Sequence, residues 1–137
     1  MTFRMPITPR YMEIDSQGVV FNGWYLTWVD EAMAAFLADR GLPYPELIEL
    51  GFDVHVVRSE LDYKSGVRWG DDAAVAVSTG RIGTTSFALD FQVLRGGEVC
   101  VAARNVYVVV ASDFSGKRPV PPRLLEALGE PAPLLPA

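Results

Sequence analysis

The sequence has little that could build a metal centre or a disulfide. It holds one cysteine, Cys100, and one histidine, His55. A single cysteine excludes an internal disulfide and a zinc site made of cysteines, and a single histidine excludes a centre with several histidine ligands. Both residues lie in strand-like segments far apart along the chain. We therefore expect no Cys–His pair and no Ser–His–Asp triad.

Long hydrophobic runs and an excess of basic residues are also missing. No apolar run approaches the ~18–20 residues that a membrane-spanning helix needs. The first ten residues, MTFRMPITPR, lack the apolar segment of a signal peptide. The net charge of −5, from 17 acidic and 12 basic residues, argues against a protein that coats nucleic acid or an anionic membrane. We therefore expect a cytoplasmic protein that binds neither nucleic acid nor membranes.

What remains has the composition of an ordinary globular domain. The 137 residues are 50% hydrophobic and 21% charged, and a chain of this length can bury a sizeable core. Neither an internal repeat nor a linker is visible, so we expect a single domain over residues 1–137. The last nine residues, GEPAPLLPA (129–137), are expected to form a loose tail.

One long helix is predicted from about Trp24 to Arg40. Asn22 precedes it as a candidate N-cap, Gly41 suits the left-handed position after its end, and Pro43 prevents its continuation. Apolar side chains cover most of the circumference of this helix, and polar ones form only a narrow stripe. Such a helix is expected to be buried.

The rest of the chain mostly follows the two-residue period of strands. Short links favour antiparallel neighbours, so we predict an α+β fold, with a curved five-stranded antiparallel sheet around a long central helix. A single sheet leaves an edge strand unpaired, which favours contact with another subunit. The predicted strands cover 8–15, 52–65, 72–82, 85–95 and 98–112, and short helices are predicted at 44–50 and 121–128.

The stretch RYMEIDSQGVVFNGWYLTWVDEAMAAFL (10–37) carries a recognisable motif. An aromatic residue and a glutamate precede Asp15, GVVF (18–21) follows it, Tyr25 opens the helix and Asp30 lies within it. This motif resembles the 4-hydroxybenzoyl-CoA thioesterase-like family of hotdog-fold acyl-CoA thioesterases. The resemblance continues through 61–72, 81–87 and 116–122.

The resemblance implies a hotdog fold and a dimer with paired sheets, assembled further into a homotetramer. It also implies hydrolysis of an acyl-CoA thioester. The substrate-binding residues that it suggests are Asp30, Trp24 and Tyr25 around the helix, and Ser86 near the CoA moiety. Many relatives carry His or Tyr where this chain has Asn22, so an imidazole base at that position is excluded.

Thioester hydrolysis needs an attacking group and a site for the developing oxyanion. Asp15 is the candidate nucleophile or general base, although it could also be only a turn residue. The first N–H groups of a helix have no internal partners, so the amides of Asn22 and Gly23 are the candidate oxyanion donors. We expect no metal and no cofactor, since coenzyme A is part of the substrate.

Two other functions are compatible with the same residues. The chain could hydrolyse thioesters of an acyl carrier protein, although its negative charge disfavours docking of an acidic carrier. It could also be a non-catalytic acyl-CoA binding protein. A hotdog dehydratase is less favoured, because the single histidine, His55, is far from the helix start in sequence.

Overall fold

The strands of the protein form one five-stranded antiparallel sheet. The computed structural model describes residues 2–134, and the strand order across the sheet is β1-β3-β4-β5-β2. The sheet and the long helix packed on it confirm the predicted α+β architecture. The strands are β1 (Phe3–Ile7), β2 (Phe52–Tyr63), β3 (Ala73–Ile82), β4 (Ser86–Arg95) and β5 (Glu98–Ala111), and the helices are α1 (Trp24–Asp39), α2 (Tyr44–Glu49) and α3 (Pro122–Leu128).

The long helix α1 supplies the centre of the hydrophobic core. It packs against β1, β3 and β4, and the side chains on its inner side have no solvent exposure. This burial explains why the helix is apolar over most of its surface, as the sequence predicted. The fully buried residues of α1 are Trp28, Val29, Ala32, Phe36 and Leu37.

The end of α1 lies close to the predicted position and uses the predicted glycine. The helix ends at Asp39, one residue before the predicted end, and Arg40 is its C-cap. Gly41 has a φ of +85°, a conformation that favours glycine. The N–H of Leu42 then donates to the carbonyl of Leu37 at 2.9 Å, which satisfies a carbonyl of the last turn.

The first strand differs from the prediction. It lies at Phe3–Ile7, not at 8–15, and the predicted segment instead contains a 3₁₀ turn at Tyr11–Glu13. The turn forms because the Glu13 side chain folds inward and accepts a hydrogen bond from the N–H of Arg10. Pro6 is tolerated in β1 because this strand lies at an edge of the sheet.

The two edges of the sheet are unequal. The edge strand β1 has 5 residues, whereas the other edge strand, β2, has 12. Val56, Val57 and Tyr63 on β2 are exposed large hydrophobic residues. An edge of this length with apolar side chains is suited to pairing with another chain.

The segment after α3 is described only in part. Within it, the N–H of Ala132 donates to the carbonyl of Thr79 at 2.9 Å. Residues 135–137 of the predicted tail lie outside the described residues, so a loose tail stays a prediction. Among the helices of residues 2–134, none is both long and apolar enough to cross a membrane.

Candidate active site

A cavity of about 380 Å³ lies beside the start of α1 and is lined by several of the motif residues. It brings Asp15, Asn22 and Tyr25 together, as the sequence predicted for the acid and the helix start. The remaining side of the cavity comes from the end of β2 and the loop that follows it. Its lining residues are Asp15, Gln17, Val19, Val20, Asn22, Tyr25, Tyr63, Lys64, Ser65 and Gly66.

A tight turn holds Asp15 at this cavity. The N–H of Asp15 donates to the carbonyl of Val19 at 2.8 Å, and the N–H of Gly18 donates back to the carbonyl of Asp15 at 3.0 Å. One carboxylate oxygen of Asp15 accepts the N–H of Gln17 at 2.8 Å. Gly18 has a φ of +81°, which explains the glycine at this position. The turn thus fixes the Asp15 carboxylate and leaves its second oxygen without a hydrogen bond among residues 2–134.

The start of α1 is arranged differently from the predicted cap. Gly23, not Asn22, is the N-cap, and no side chain caps the helix. The prediction of Asn22 as the N-cap was wrong because Asn22 and Gly23 already lie in a turn, closed by the N–H of Trp24 on the carbonyl of Phe21 at 3.0 Å. Within residues 2–134, the backbone N–H groups of Asn22 and Gly23 donate to no acceptor. These two amides are available to a ligand.

The loop after β2 closes the cavity from the other side. The N–H of Val20 donates to the carbonyl of Val67 at 2.8 Å. Gly66 packs so closely on Val19 that a Cβ atom at position 66 would lie 2.7 Å from a Val19 methyl carbon. The hydroxyl of Tyr63 donates to the carbonyl of Asn22 at 3.3 Å. The loop therefore contacts both the Asp15 turn and the helix start.

Tyr25 connects the helix start with the same loop. Its side chain is 3% exposed, and its hydroxyl oxygen accepts the N–H of Val67 at 3.2 Å. Burial raises the pKa of the Tyr25 phenol above its ordinary value, with smaller contributions from charges that include Asp15. The phenol therefore stays protonated and can donate a hydrogen bond.

The other predicted substrate-binding residues lie outside this cavity. Trp24 is half-buried against the hydrophobic core, and Ser86 is the first residue of β4, opposite Val108 of β5. Asp30 lines a separate cavity of about 550 Å³, together with Tyr44 and His55. Asp30 remains exposed to solvent on one side, and partial desolvation by the neighbouring groups raises the pKa of its carboxyl.

The sequence did not place four of the lining residues beside Asp15, although Lys64 is one of the basic residues that could meet CoA phosphates. They are consecutive in the sequence, at the end of β2 and the start of the next loop. Their approach to the helix start depends on the position of β2 in the sheet, which local patterns do not reveal. A Ser-Gly pair directly after a strand was the one available signal. The missed residues are Tyr63, Lys64, Ser65 and Gly66.

Metal ligation has little support within residues 2–134. No group of three or more His, Cys, Asp or Glu side chains lies close enough to hold a metal ion in that range. Cys100 is fully buried, and the ring of His55 packs at 5.3 Å from that of Phe114. Neither residue lines the cavity at Asp15.

Comparisons with known proteins agree with the motif and the fold. The model of the thioesterase superfamily matches residues 17–102, more than half of the chain. A protein of Synechocystis sp. named "Putative esterase" is 33% identical over 135 residues, which cover 89% of this chain and 81% of that protein. A Bacillus subtilis protein named "Putative acyl-CoA thioesterase" is 32% identical over 69 residues, half of each chain.

A solved structure supports the fold independently. The 1,4-dihydroxy-2-naphthoyl-CoA thioesterase from Synechocystis superimposes with a TM-score of 0.83 at 21% identity, over 93% of this chain and 96% of that chain. The family match begins two residues after Asp15, so it does not test the role of that residue. The chain belongs to the thioesterase superfamily and is a thioester hydrolase with the hotdog fold.

Proposed function

We propose that the protein is an acyl-CoA thioesterase, which hydrolyses an acyl-CoA to a free carboxylic acid and coenzyme A. The observation that carries the proposal is one cavity lined by both Asp15 and Asn22. The backbone amides of Asn22 and of the next residue, Gly23, have no acceptor within residues 2–134, although Gly23 itself does not line the cavity. An acid and unpaired helix-start amides are the two halves that thioester hydrolysis requires.

In the proposed reaction, the thioester carbonyl oxygen accepts hydrogen bonds from the amides of Asn22 and Gly23. These donors stabilise the negative charge that develops on this oxygen. Asp15 then either attacks the carbonyl carbon, which forms a mixed anhydride and expels the CoA thiolate, or removes a proton from an attacking water. In the first case, water later hydrolyses the anhydride. Both routes end with the same acid and thiol.

The choice of acyl-CoA as the substrate is supported by the cavity lining and by the relatives. The names of the Bacillus subtilis relative and of the Synechocystis protein of solved structure refer to CoA thioesters. The exposed aromatic ring of Tyr63, whose centroid lies 5.9 Å from that of the buried Tyr25 ring, offers apolar surface to the acyl group or the pantetheine arm. Lys64 lines the same cavity, and its ammonium group can approach a CoA phosphate.

A thiol-release assay tests this proposal. Acyl-CoAs of different length and aromaticity are compared with the same acyl groups on an acyl carrier protein, in the presence of excess EDTA because we propose no metal and no cofactor. Turnover of acyl-CoA is expected. Turnover of the carrier-protein substrate alone would favour the carrier-protein thioesterase. Binding of a non-hydrolysable acyl-CoA analogue without any turnover would favour a binding protein, and loss of activity in EDTA would contradict the metal-free reaction.

We also propose that the protein forms a homodimer through β2, and a homotetramer by further assembly. The length of this edge strand and the exposed Val56 and Val57 support the dimer, whereas the tetramer rests on the family resemblance. Light scattering at micromolar concentration should give at least twice the 15.0 kDa mass of the chain. A stable and active monomer would contradict the proposal. A cytoplasmic location stays a prediction.

A further inference from the structure

Glu13 is a buried acid for which the proposed reaction has no direct use. It has no solvent exposure, and three hydrogen bonds surround its carboxylate. Trp28 of α1 donates its indole Nε1–H at 2.8 Å. Arg10 donates its backbone N–H at 2.7 Å and its guanidinium Nη2–H at 2.8 Å. The carboxylate thus ties the 3₁₀ turn to the second turn of the long helix.

The backbone of Glu13 is connected to both halves of the candidate site. Its carbonyl accepts the N–H of Phe21 at 2.8 Å, and Phe21 directly precedes the unpaired amides of Asn22 and Gly23. In the other direction, Asp15 follows Glu13 by two residues. The intervening Ile14 forms an antiparallel bridge with Val20, the residue before Phe21. A shift of Glu13 would therefore move the acid relative to the amides.

Stability alone does not account for an ionised group at this position. Taking a carboxylate out of water has a large free-energy cost, and apolar residues of similar volume often stabilise a core as well or better. Arg10, the charged partner, remains half-exposed. A function that needs a fixed distance between the Asp15 carboxylate and the helix-start amides explains why the buried carboxylate of Glu13 is present.

We propose that Glu13 is a positioning residue for thioester hydrolysis, which fixes the Asp15 carboxylate relative to the helix-start amides. This inference rests on the proposed function, because it assigns the attacking group to Asp15. Glu13 itself touches no reacting atom. Its carboxylate holds the turn through Arg10 and the helix through Trp28, and so adds a side-chain link to the backbone bonds that set the spacing between acid and amides.

The direct test is Glu13→Gln, which keeps the volume of the side chain. The Trp28 indole and the Arg10 guanidinium donate to one carboxylate oxygen, and the Arg10 backbone N–H donates to the other. A neutral amide can accept at only one of these two positions, so in either orientation its NH₂ group faces a donor. Misplacement of reacting groups by about 1 Å lowers rates by ~10²-fold. We therefore expect kcat to fall by about that factor, with KM changed little, at a temperature where the variant is folded.

Thr79→Val is the matched control. The Thr79 hydroxyl is 2% exposed and donates to the carbonyl of Leu128 at 2.6 Å, so the substitution removes a buried hydrogen bond between β3 and α3, outside the residues that line the Asp15 cavity. It should lower Tm and leave kcat unchanged. If Glu13→Gln also lowers Tm without lowering kcat, Glu13 is only structural and the inference is overturned.

A milder variant covers the case in which Glu13→Gln does not fold. Arg10→Ala removes the guanidinium bond but keeps the backbone N–H of residue 10, so kcat should fall in the same direction and by less. An Arg10→Ala kcat equal to that of wild type, with Glu13→Gln unfolded, overturns the inference.

Asp15→Asn in the same assay distinguishes failure of the proposed reaction from failure of the positioning role of Glu13. If it retains activity, the proposed reaction fails, whereas loss with Asp15→Asn and not with Glu13→Gln removes only the positioning role.

Discussion

Two aspartates lie beside the same helix in unlike surroundings. Asp15, before α1, is held in a turn by the N–H of Gln17 and shares a cavity with the helix start. Asp30, within α1, accepts no hydrogen bond among residues 2–134 that would lower its pKa, and burial raises that pKa. Tyr25, which lines the first cavity, and Asp30 are five positions apart, a distance of about 7.5 Å along the helix axis.

The difference shows which acid can act with the helix amides. Hydrogen bonds inside α1 occupy its N–H groups beyond the first turn, so a carbonyl near Asp30 finds no free backbone donor. A carbonyl near Asp15 can reach the unpaired amides of Asn22 and Gly23. We therefore propose attack by Asp15 and keep substrate contact as the proposed role of Asp30.

The largest expected effect belongs to Asp15→Asn. Asparagine can form the same turn with the N–H of Gln17, but it lacks the negative charge that attacks carbon or removes a proton. We expect kcat to fall by roughly 10²–10⁴, with a small change in KM. Thiol release under saturating acyl-CoA measures the effect.

The thermal stability of the Asp15→Asn variant is the control for its activity. Since the turn is preserved, Tm should stay close to that of wild type. A kcat near the wild-type value would mean that Asp15 serves only as a turn residue. Asp30→Asn should by contrast raise KM more than it lowers kcat, and an equal loss of kcat in both variants would remove the distinction between the two acids.

Glu13 and Asp30 should respond to pH in opposite ways. Burial opposes ionisation of Glu13, but hydrogen bonds from Arg10 and Trp28 outweigh it and lower its pKa below 4.5. Stability from this carboxylate is therefore present above pH 4.5 and is lost as pH falls through the lowered pKa. Thermal unfolding at neutral pH should show Glu13→Gln less stable by roughly 2 kcal/mol. The stability difference between wild type and Glu13→Gln should shrink below pH 4.5. A stability difference that does not change with pH would contradict this prediction.

Asp30→Asn should give a smaller effect of opposite sign. The pKa of the Asp30 carboxyl is raised in the folded state above 3.8, so ionisation disfavours folding as pH rises through that raised value. The neutral variant avoids this cost and should have a slightly higher Tm at pH 7. The gain should disappear as pH falls and the wild-type carboxyl is protonated. A lower Tm for the variant at pH 7 would contradict the burial effect.

The sequence predicted most of the fold because its signals are local. Four strands follow a two-residue period, and the helix end depends on Gly41. The first strand was misplaced because the alternation in 8–15 resembles a strand, whereas Glu13 is drawn inward by Trp28, 15 residues away. A hydrogen bond between distant residues leaves no trace in a short window of sequence.

Only one side of the candidate site, formed by Asp15 and the start of α1, could be predicted from local sequence signals. Asp15 and Asn22 are close in sequence, and the unpaired amides of a helix start are a general property of helices. Lys64 and Gly66 reach the cavity because β2 lies at the sheet edge, next to β5. Strand order depends on contacts across the whole sheet, so the approach of these residues to the helix start was not found from the sequence.

The smallest effect is expected for Asn22→Ala, which separates the backbone of this residue from its side chain. The sequence analysis made Asn22 the N-cap, and loss of a cap costs about 1 kcal/mol. In the structure Gly23 is the N-cap and no side chain caps α1, so that cost should be absent. Alanine keeps the backbone N–H, so the proposed oxyanion donor remains. We expect Tm to be unchanged and kcat to stay within about threefold, far from the loss with Asp15→Asn. A fall in kcat comparable to that of Asp15→Asn, at unchanged Tm, would show that the Asn22 side chain itself acts on the substrate.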